Sequence, residues 1–364
     1  MKNRSIVRRS QAILALTALC SLALPSAVQA EDQKLVIGIP AEPSLTYAPH
    51  YMAKGAGFFK EEGLDVDIVS FDGSGTLIPQ LSSKRVLVGW AAPDVVIVTH
   101  QPGRDPLPLR FFYNGSRISP WEFVVPANSD IKTLTDLRGK NIGVGSLSFG
   151  NIPITKAIFK QLKMEAGRDY KLVPVGAGAA AFQAFNSGQI DALNVYDAAH
   201  ANLELTGAKI RRLPIPAEFT NVTAHGFLAH EDTIKTQGKM LAGVGRAFAK
   251  ATIVCDVAPR ACVENFWRMF PNMKPTKGTE EQKMADAIMV LKAGMHKYLA
   301  FSGGTREWGS YTDAGLKNLV TALYDGGQIA TDKVDVGAIY TNALVREMNN
   351  FSAKAVATAA RKLP

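Results

Sequence analysis

The stretch Glu61-Glu62-Gly63-Leu64-Asp65-Val66-Asp67-Ile68-Val69-Ser70-Phe71-Asp72-Gly73-Ser74-Gly75-Thr76 decides the fold. Gly63 ends a helix, Asp65–Phe71 reads as a strand, and a Gly-rich turn opens a helix over Thr76–Ser83, with the next strand at Val86–Trp90. The same order recurs 104 residues later. Residues 61–90 align without gaps with 165–194, pairing Glu61, Gly63, Asp65, Val69 and Ser83 with Glu165, Gly167, Asp169, Val173 and Ser187. Ile68, Ile78, Leu81 and Val86 fall opposite Leu172, Phe182, Phe185 and Ile190. Agreement of helix end, strand, turn, helix and strand predicts two similar α/β lobes.

Outward from this unit, strands are predicted at Lys34–Ile39, Leu109–Tyr113, Phe123–Pro126, Asn141–Ser146, Lys171–Val175, Asp191–Tyr196 and Ala224–Ala229. Helical segments fall near Tyr51–Glu62, Pro93–His100, Asn151–Glu165, Ala179–Ser187 and Asp197–Leu205. This alternation argues for parallel sheets with ligands at the carboxyl ends of the strands. From Glu231 the pattern changes to long amphipathic helices, broken at Pro271–Gly278.

The 364 residues exceed what one hydrophobic core usually supports. A 47% apolar content and 20% charged residues exclude a mainly disordered chain, and three cysteines exclude a disulfide framework. The net charge of +9 raises the question of a nucleic-acid partner. Lys2, Arg4, Arg8 and Arg9, the apolar run Ala12–Leu24 and Pro25-Ser26-Ala27-Val28-Gln29-Ala30 read instead as a secretory signal peptide, cut after Ala30. Without it 37 cations face 32 anions, and Lys209, Arg211 and Arg212 form the densest basic cluster left. That is a solvated edge, so no nucleic-acid partner is expected. The mature chain is expected in the periplasm.

Several motifs carry chemistry on paper. Val175-Gly176-Ala177-Gly178-Ala179 fits G-x-G-x-x-A with Asp197 after the next strand, but stands outside the first strand–helix unit and its repeat partner lacks the pattern. Ser146-Leu147-Ser148-Phe149-Gly150 resembles a nucleophile elbow with its first Gly replaced by Ser. A secreted serine hydrolase using Ser148, with Asp197, His200 or His225, is therefore the competing reading. The six histidines show no H-x-x-x-H or Cys/His spacing, so neither metal nor cofactor is expected. Cys255 and Cys262 would lie about 10 Å apart on a continuous helix. Pro259 stands between them and can break that helix, which leaves a disulfide open.

Five aromatic residues sit near predicted strand ends: Tyr47, Phe71, Trp90, Phe149 and Tyr196. Around helix N-termini they would suit a flat organic molecule with a polar end. Tyr47-Ala48-Pro49-His50-Tyr51-Met52-Ala53-Lys54, then Gly57-Phe58-Phe59-Lys60-Glu61-Glu62-Gly63-Leu64-Asp65-Val66 and Gly73-Ser74-Gly75-Thr76, carry a family resemblance. So do Leu134-Thr135-Asp136-Leu137-Arg138-Gly139-Lys140-Asn141-Ile142-Gly143-Val144 and Ser187-Gly188-Gln189-Ile190-Asp191-Ala192. In order and spacing the chain resembles the periplasmic solute-binding proteins of ABC importers, in the nitrate/sulfonate/taurine and pyrimidine-precursor class.

The resemblance implies a two-lobed periplasmic-binding-protein-like fold (type II), with two parallel-core sheets joined by two hinge strands and a helical C-terminal section. Residues 31–120 and 227–364 would form lobe 1 and residues 121–226 lobe 2, with crossovers near Trp121–Pro126 and Asn221–Phe227. It also implies a monomer without catalytic residues that captures a small organic solute (aromatic or heteroaromatic, carboxylate or sulfonate) in a cleft between the lobes and delivers it to ABC permease subunits, or docks on a sensory receptor. Mapped onto this chain, the solute would meet Tyr47, Phe71, Ser74, Gly75, Thr76, Trp90, Ala92, Ser146, Ser148, Phe149, Asn151, Tyr196 and Asp197, so Tyr196→Ala and Ser74→Ala should both weaken binding. No Arg or Lys stands at these loops, which argues against a strongly anionic solute; an unpaired Asp197 would favour one with donors. Some relatives are pyrimidine-precursor synthases that need a Cys-rich loop. This chain lacks one.

Overall fold

The computed structural model describes residues 32–301 and 306–363; the export signal read in residues 1–30 lies outside them. Among the described residues ten strands are formed: β1 (Gln33–Ile39), β2 (Leu64–Ser70), β3 (Val88–Ala91), β4 (Leu109–Asn114), β5 (Trp121–Pro126), β6 (Asn141–Val144), β7 (Lys171–Pro174), β8 (Ala192–Tyr196), β9 (Ile210–Arg212) and β10 (Gly226–His230). They make two five-stranded sheets, in the orders β2-β1-β3-β10-β4 and β7-β6-β8-β5-β9. In each sheet the first three strands are parallel and the last two pairings are antiparallel. The repeat is thus a structural one: β2, the helix Ser74–Ser82 and β3 correspond to β7, the helix Ala179–Asn186 and β8.

Each sheet takes in a strand from beyond a crossing. The chain leaves the first sheet after β4 through residues 115–120, and returns from β9 to β10 through residues 213–225. Trp121–Pro126, expected as a crossover, is β5 itself, laid antiparallel between β8 and β9. The two crossings pair with one another: Ser116 N donates to His225 O at 2.7 Å, Ala224 N to Ser116 O at 2.8 Å and Ser119 N to Thr220 O at 2.9 Å. Backbone hydrogen bonds therefore hold the connectors side by side.

The central strands read as apolar runs because both of their faces are covered; Ala192 to Tyr196 are all buried. The helical tail is not confined to the first sheet. Gly238–Val257 packs on Ala48–Gly55, whereas Glu280–Leu299 packs on Asp197–Leu205 and Asp313–Asp325 on Asn151–Gln161. Thr279 starts the helix Glu280–Leu299 by accepting from Gln282 N at 3.2 Å. The break expected near Pro259 is present: one helix ends at Val257 and the next begins with Pro259 as its first residue.

That break brings the Cα atoms of Cys255 and Cys262 to 5.0 Å, and the two residues form a disulfide in the core. Closing so short a loop stabilises the fold by roughly 2–3 kcal/mol through the unfolded chain. Chemical denaturation with and without a reductant should show a loss of that size. Identical midpoints would contradict the cross-link.

Candidate functional site

The carboxyl ends of both parallel cores face one cleft of about 520 Å³. The segment after β1 contributes Glu42, Ser44 and Leu45, and the end of β2 contributes Phe71 and Asp72. From the second sheet come Phe149 after β6, Gly176 and Gly178 after β7, and Tyr196 at the end of β8. Phe182, Phe266 and Trp267 complete the apolar wall. Glu42 and Asp72 are the charged residues lining it among the described residues; no Lys or Arg does. Burial pushes the Tyr196 phenol up to about 12, so it remains a hydrogen-bond donor.

Behind Tyr196 lies a second, much smaller chamber of about 20 Å³, which also has Tyr196 in its wall. Tyr47, Trp90, Trp121 and Tyr298 supply the other rings, and Thr46, Ser116, His225 and Lys297 the polar groups. Trp90 is fixed edge-on against His50 at 4.7 Å and Phe227 at 4.9 Å. The backbone of the two crossings closes the chamber's end, since Ser116 and His225 belong to them.

The five aromatic residues singled out from sequence all line one cavity or the other: Phe71 and Phe149 the cleft, Tyr47 and Trp90 the chamber, Tyr196 both. The small and polar residues are placed differently. Ser74 is fully buried and its Oγ accepts from Ala92 N at 3.1 Å, tying a helix start to the end of β3. Asn151 is buried inside the second half, where its Nδ2 donates to Asn194 Oδ1 at 2.7 Å. Thr76 Oγ1 donates to Gly73 O at 3.0 Å within its own turn.

Ser146 and Ser148 spend their hydroxyls on the opposite turn. Ser146 Oγ donates to Asp72 Oδ2 at 3.0 Å, Ser148 Oγ donates to Asp72 O, and Gly75 N donates to Ser148 O at 3.1 Å. Contact this close requires glycine. A Cβ on Gly73, whose φ is +88°, would lie 2.4 Å from Ser148 O, and one on Gly150 would lie 2.4 Å from Ala92 Cβ. These turns join the two halves at the cleft rim. The Ser148 hydroxyl bonds to Asp72 O and Ser146 Oγ, while His200 Nδ1 pairs with Glu122 at 2.9 Å and Asp197 with Lys297 at 2.9 Å. No group of three or more His, Cys, Asp or Glu is placed to hold a metal ion among the described residues.

Asp197 is not unpaired. Lys297 Nζ, one hundred residues away on the helix Glu280–Leu299, lies 2.9 Å from Oδ1 and 3.3 Å from Oδ2, and both side chains are buried. Lys297, Ser116, His225 and Tyr298 are chamber residues that sequence reasoning missed. Among the residues lining the cleft, Phe182, Phe266 and Trp267 were missed as well. A lysine near a helix end carries no motif, and only the tail's packing on Asp197–Leu205 brings it to the site.

The model of the family described as NMT1/THI5 like matches residues 44–261, and the chain belongs to that family. The protein YtlA of Bacillus subtilis is 38% identical over 65 residues, which is 18% of this chain and spans 20% of that protein's length. The alkanesulfonate-binding protein SsuA from Xanthomonas axonopodis pv. citri, bound to MOPS, superimposes with a TM-score of 0.62 at 16% identity, over 86% of this chain and 100% of that one. The periplasmic nitrate-binding protein NrtA from Synechocystis PCC 6803 gives 0.58 at 15% identity, over 92% and 91%. The fold is that of the periplasmic binding proteins. Among the described residues, no helix is long and apolar enough to cross a membrane.

Burial lowers His50 to about 3 and, with help from Lys297, lowers His225 to about 3 as well. Both are neutral in the fold but bind a proton in the unfolded chain below about 6.5. Stability is therefore lost as pH falls from 6.5 toward 3, with a slope of up to about 1.4 kcal/mol per pH unit for each ring. Buried Asp94, raised to about 7, works in the opposite direction between its unfolded value and 7. The variant His50→Phe, which also removes two buried nitrogens without a partner in the protein, isolates one ring. Its unfolding temperature should rise relative to wild type as pH is lowered from 7 to 4. A constant difference would refute the assignment.

Proposed function

We propose that this protein is the extracytoplasmic solute-binding component of an ABC importer. In this reading the exported chain works in the periplasm without bond chemistry. It captures a small organic solute in the cleft and presents the loaded form to permease subunits in the membrane. The observation that carries the proposal is the cleft itself. It has the volume of a small-molecule site, lies at the carboxyl ends of two parallel cores, and is walled by Phe71, Phe149, Phe182, Tyr196 and Trp267. Family membership and the SsuA and NrtA likenesses support the same reading.

The pattern of the wall favours one part of the solute range. Flat aromatic faces suit an aromatic or heteroaromatic ring. Glu42 and Asp72, with no lysine or arginine lining the cleft among the described residues, favour ring or amino donors over a carboxylate or sulfonate there. The turns that meet through Asp72 and Ser148 are the contacts that lobe closure would make and lobe opening would break.

A thermal-shift screen over pyrimidines, aromatic amines, aromatic carboxylates and sulfonates should find compounds that raise the unfolding temperature, since ligands of the native state stabilise it. For such a compound, calorimetric titration should show Tyr196→Ala weakening binding by roughly tenfold or more, with the circular dichroism of the fold preserved. Unchanged affinity would remove Tyr196 from the site. Ser74→Ala should act on stability instead of affinity, costing roughly 1–3 kcal/mol, because it strands the buried Ala92 N–H. A selective loss of affinity in that variant would contradict the placement of Ser74.

A further inference from the structure

We infer that the inner chamber is a charge-neutral selectivity compartment, which admits an uncharged hydrogen-bonding end of the solute and rejects an anionic one. The inference rests on the solute-binding reading above and specifies which end of the solute enters deepest. Its first support is a pair of stranded hydroxyls. Thr46 Oγ1 and Ser116 Oγ are buried, line the chamber and find no hydrogen-bond partner in the protein. A buried hydroxyl left this way costs free energy, so a native structure keeps one where something else satisfies it.

The second support is the charge arrangement. Lys297 is the chamber's cation, and Asp197 already holds it through both carboxylate oxygens. An incoming carboxylate or sulfonate would have to leave water for a site whose positive charge is matched. The other large lining groups, the rings of Tyr47, Trp90, Trp121, Tyr196 and Tyr298, carry no positive charge to compensate an anion. His225 is neutral there, and so adds no second cation. What remains attractive is a neutral group with donor and acceptor capacity, such as an amide, a ring amide or a hydroxyl. Only one or two heavy atoms fit, since about 20 Å³ is room for little more than one water.

Position makes the chamber part of the same site. Ser44 and Leu45 line the cleft while Thr46 and Tyr47 line the chamber, and Tyr196 is common to both. Thr46, Tyr47 and Trp90 come from the first half, Trp121 and Tyr196 from the second, and Ser116, Pro120 and His225 from the crossings. Any parting of the halves would open this chamber toward the cleft, and closure would seal the end of a solute inside it.

The test compares benzamide with benzoate, which share a ring and differ in the charge of the end group. Calorimetric titration of the mature protein should show benzamide binding at least tenfold more tightly than benzoate. Asp197→Asn leaves Lys297 without its counterion, and should reverse the order so that benzoate binds more tightly. The double variant Asp197→Asn/Lys297→Gln removes both charges, and should restore the preference for benzamide. It also serves if the single variant does not fold. Benzoate binding wild type as well as benzamide does, or a double variant that keeps the reversed order, would overturn the inference. If neither probe binds wild type while a compound from the wider screen does, the chamber assignment fails and the solute-binding reading stands. If no compound of either set binds, both fail.

Discussion

The ion pair between Lys297 and Asp197 is the constraint on which the site depends. Asp197 begins the helix after β8, the strand at the centre of the second sheet, and Lys297 stands near the end of a tail helix one hundred residues later. Buried ion pairs are not reliable sources of net stability, because each ion must leave water; breaking one by removing a partner typically costs about 3–5 kcal/mol. The pair is therefore better understood as a positioning device. It fixes the tail helix against the second half, sets Tyr298 into the chamber wall, and cancels a charge that would otherwise dominate a space of one or two atoms.

Around that point the architecture follows from exchange between two similar units. Each unit builds a parallel core of three strands, and each core is extended by a strand that has just crossed over, β5 in one direction and β10 in the other. The connectors cannot diverge freely, because their backbones bond to one another at Ser116, Ala224 and His225. At the far rim the halves meet through backbone and hydroxyl groups of Asp72, Gly75, Ser146 and Ser148, a set of hydrogen bonds that water can replace.

The fold was legible in the sequence because its signals are local. Periodicity located nine of the ten strands, and the repeat of 61–90 in 165–194 placed two matching cores. The strand that escaped, β9, has three residues, of which Arg211 and Arg212 are cationic, so it carries no apolar run. The site was legible in part. Aromatic residues at strand ends, Phe71, Phe149 and Tyr196 above all, do line the cleft, because an aromatic ring at a sheet's carboxyl edge has few other places to go. Ser74, Ser146, Ser148 and Asn151 bond to other parts of the protein, which sequence does not reveal, since a polar side chain at a helix start looks the same whether it meets a ligand, a neighbouring strand or the opposite half. Lys297 carries no sequence signal and His225 stands out only as a possible hydrolase partner, as nothing local links a tail helix or a crossing segment to a cavity.

In the proposed function a solute occupies the space between the two halves with its ring against Phe149 and Tyr196. A crystal structure of the protein with the compound that most raises its unfolding temperature tests this. Electron density for that compound is expected in the cleft, in contact with Phe71, Phe149 and Tyr196 and with one end at Thr46 and Ser116. Density for the compound on an outer surface, with the cleft filled by water alone, would contradict it.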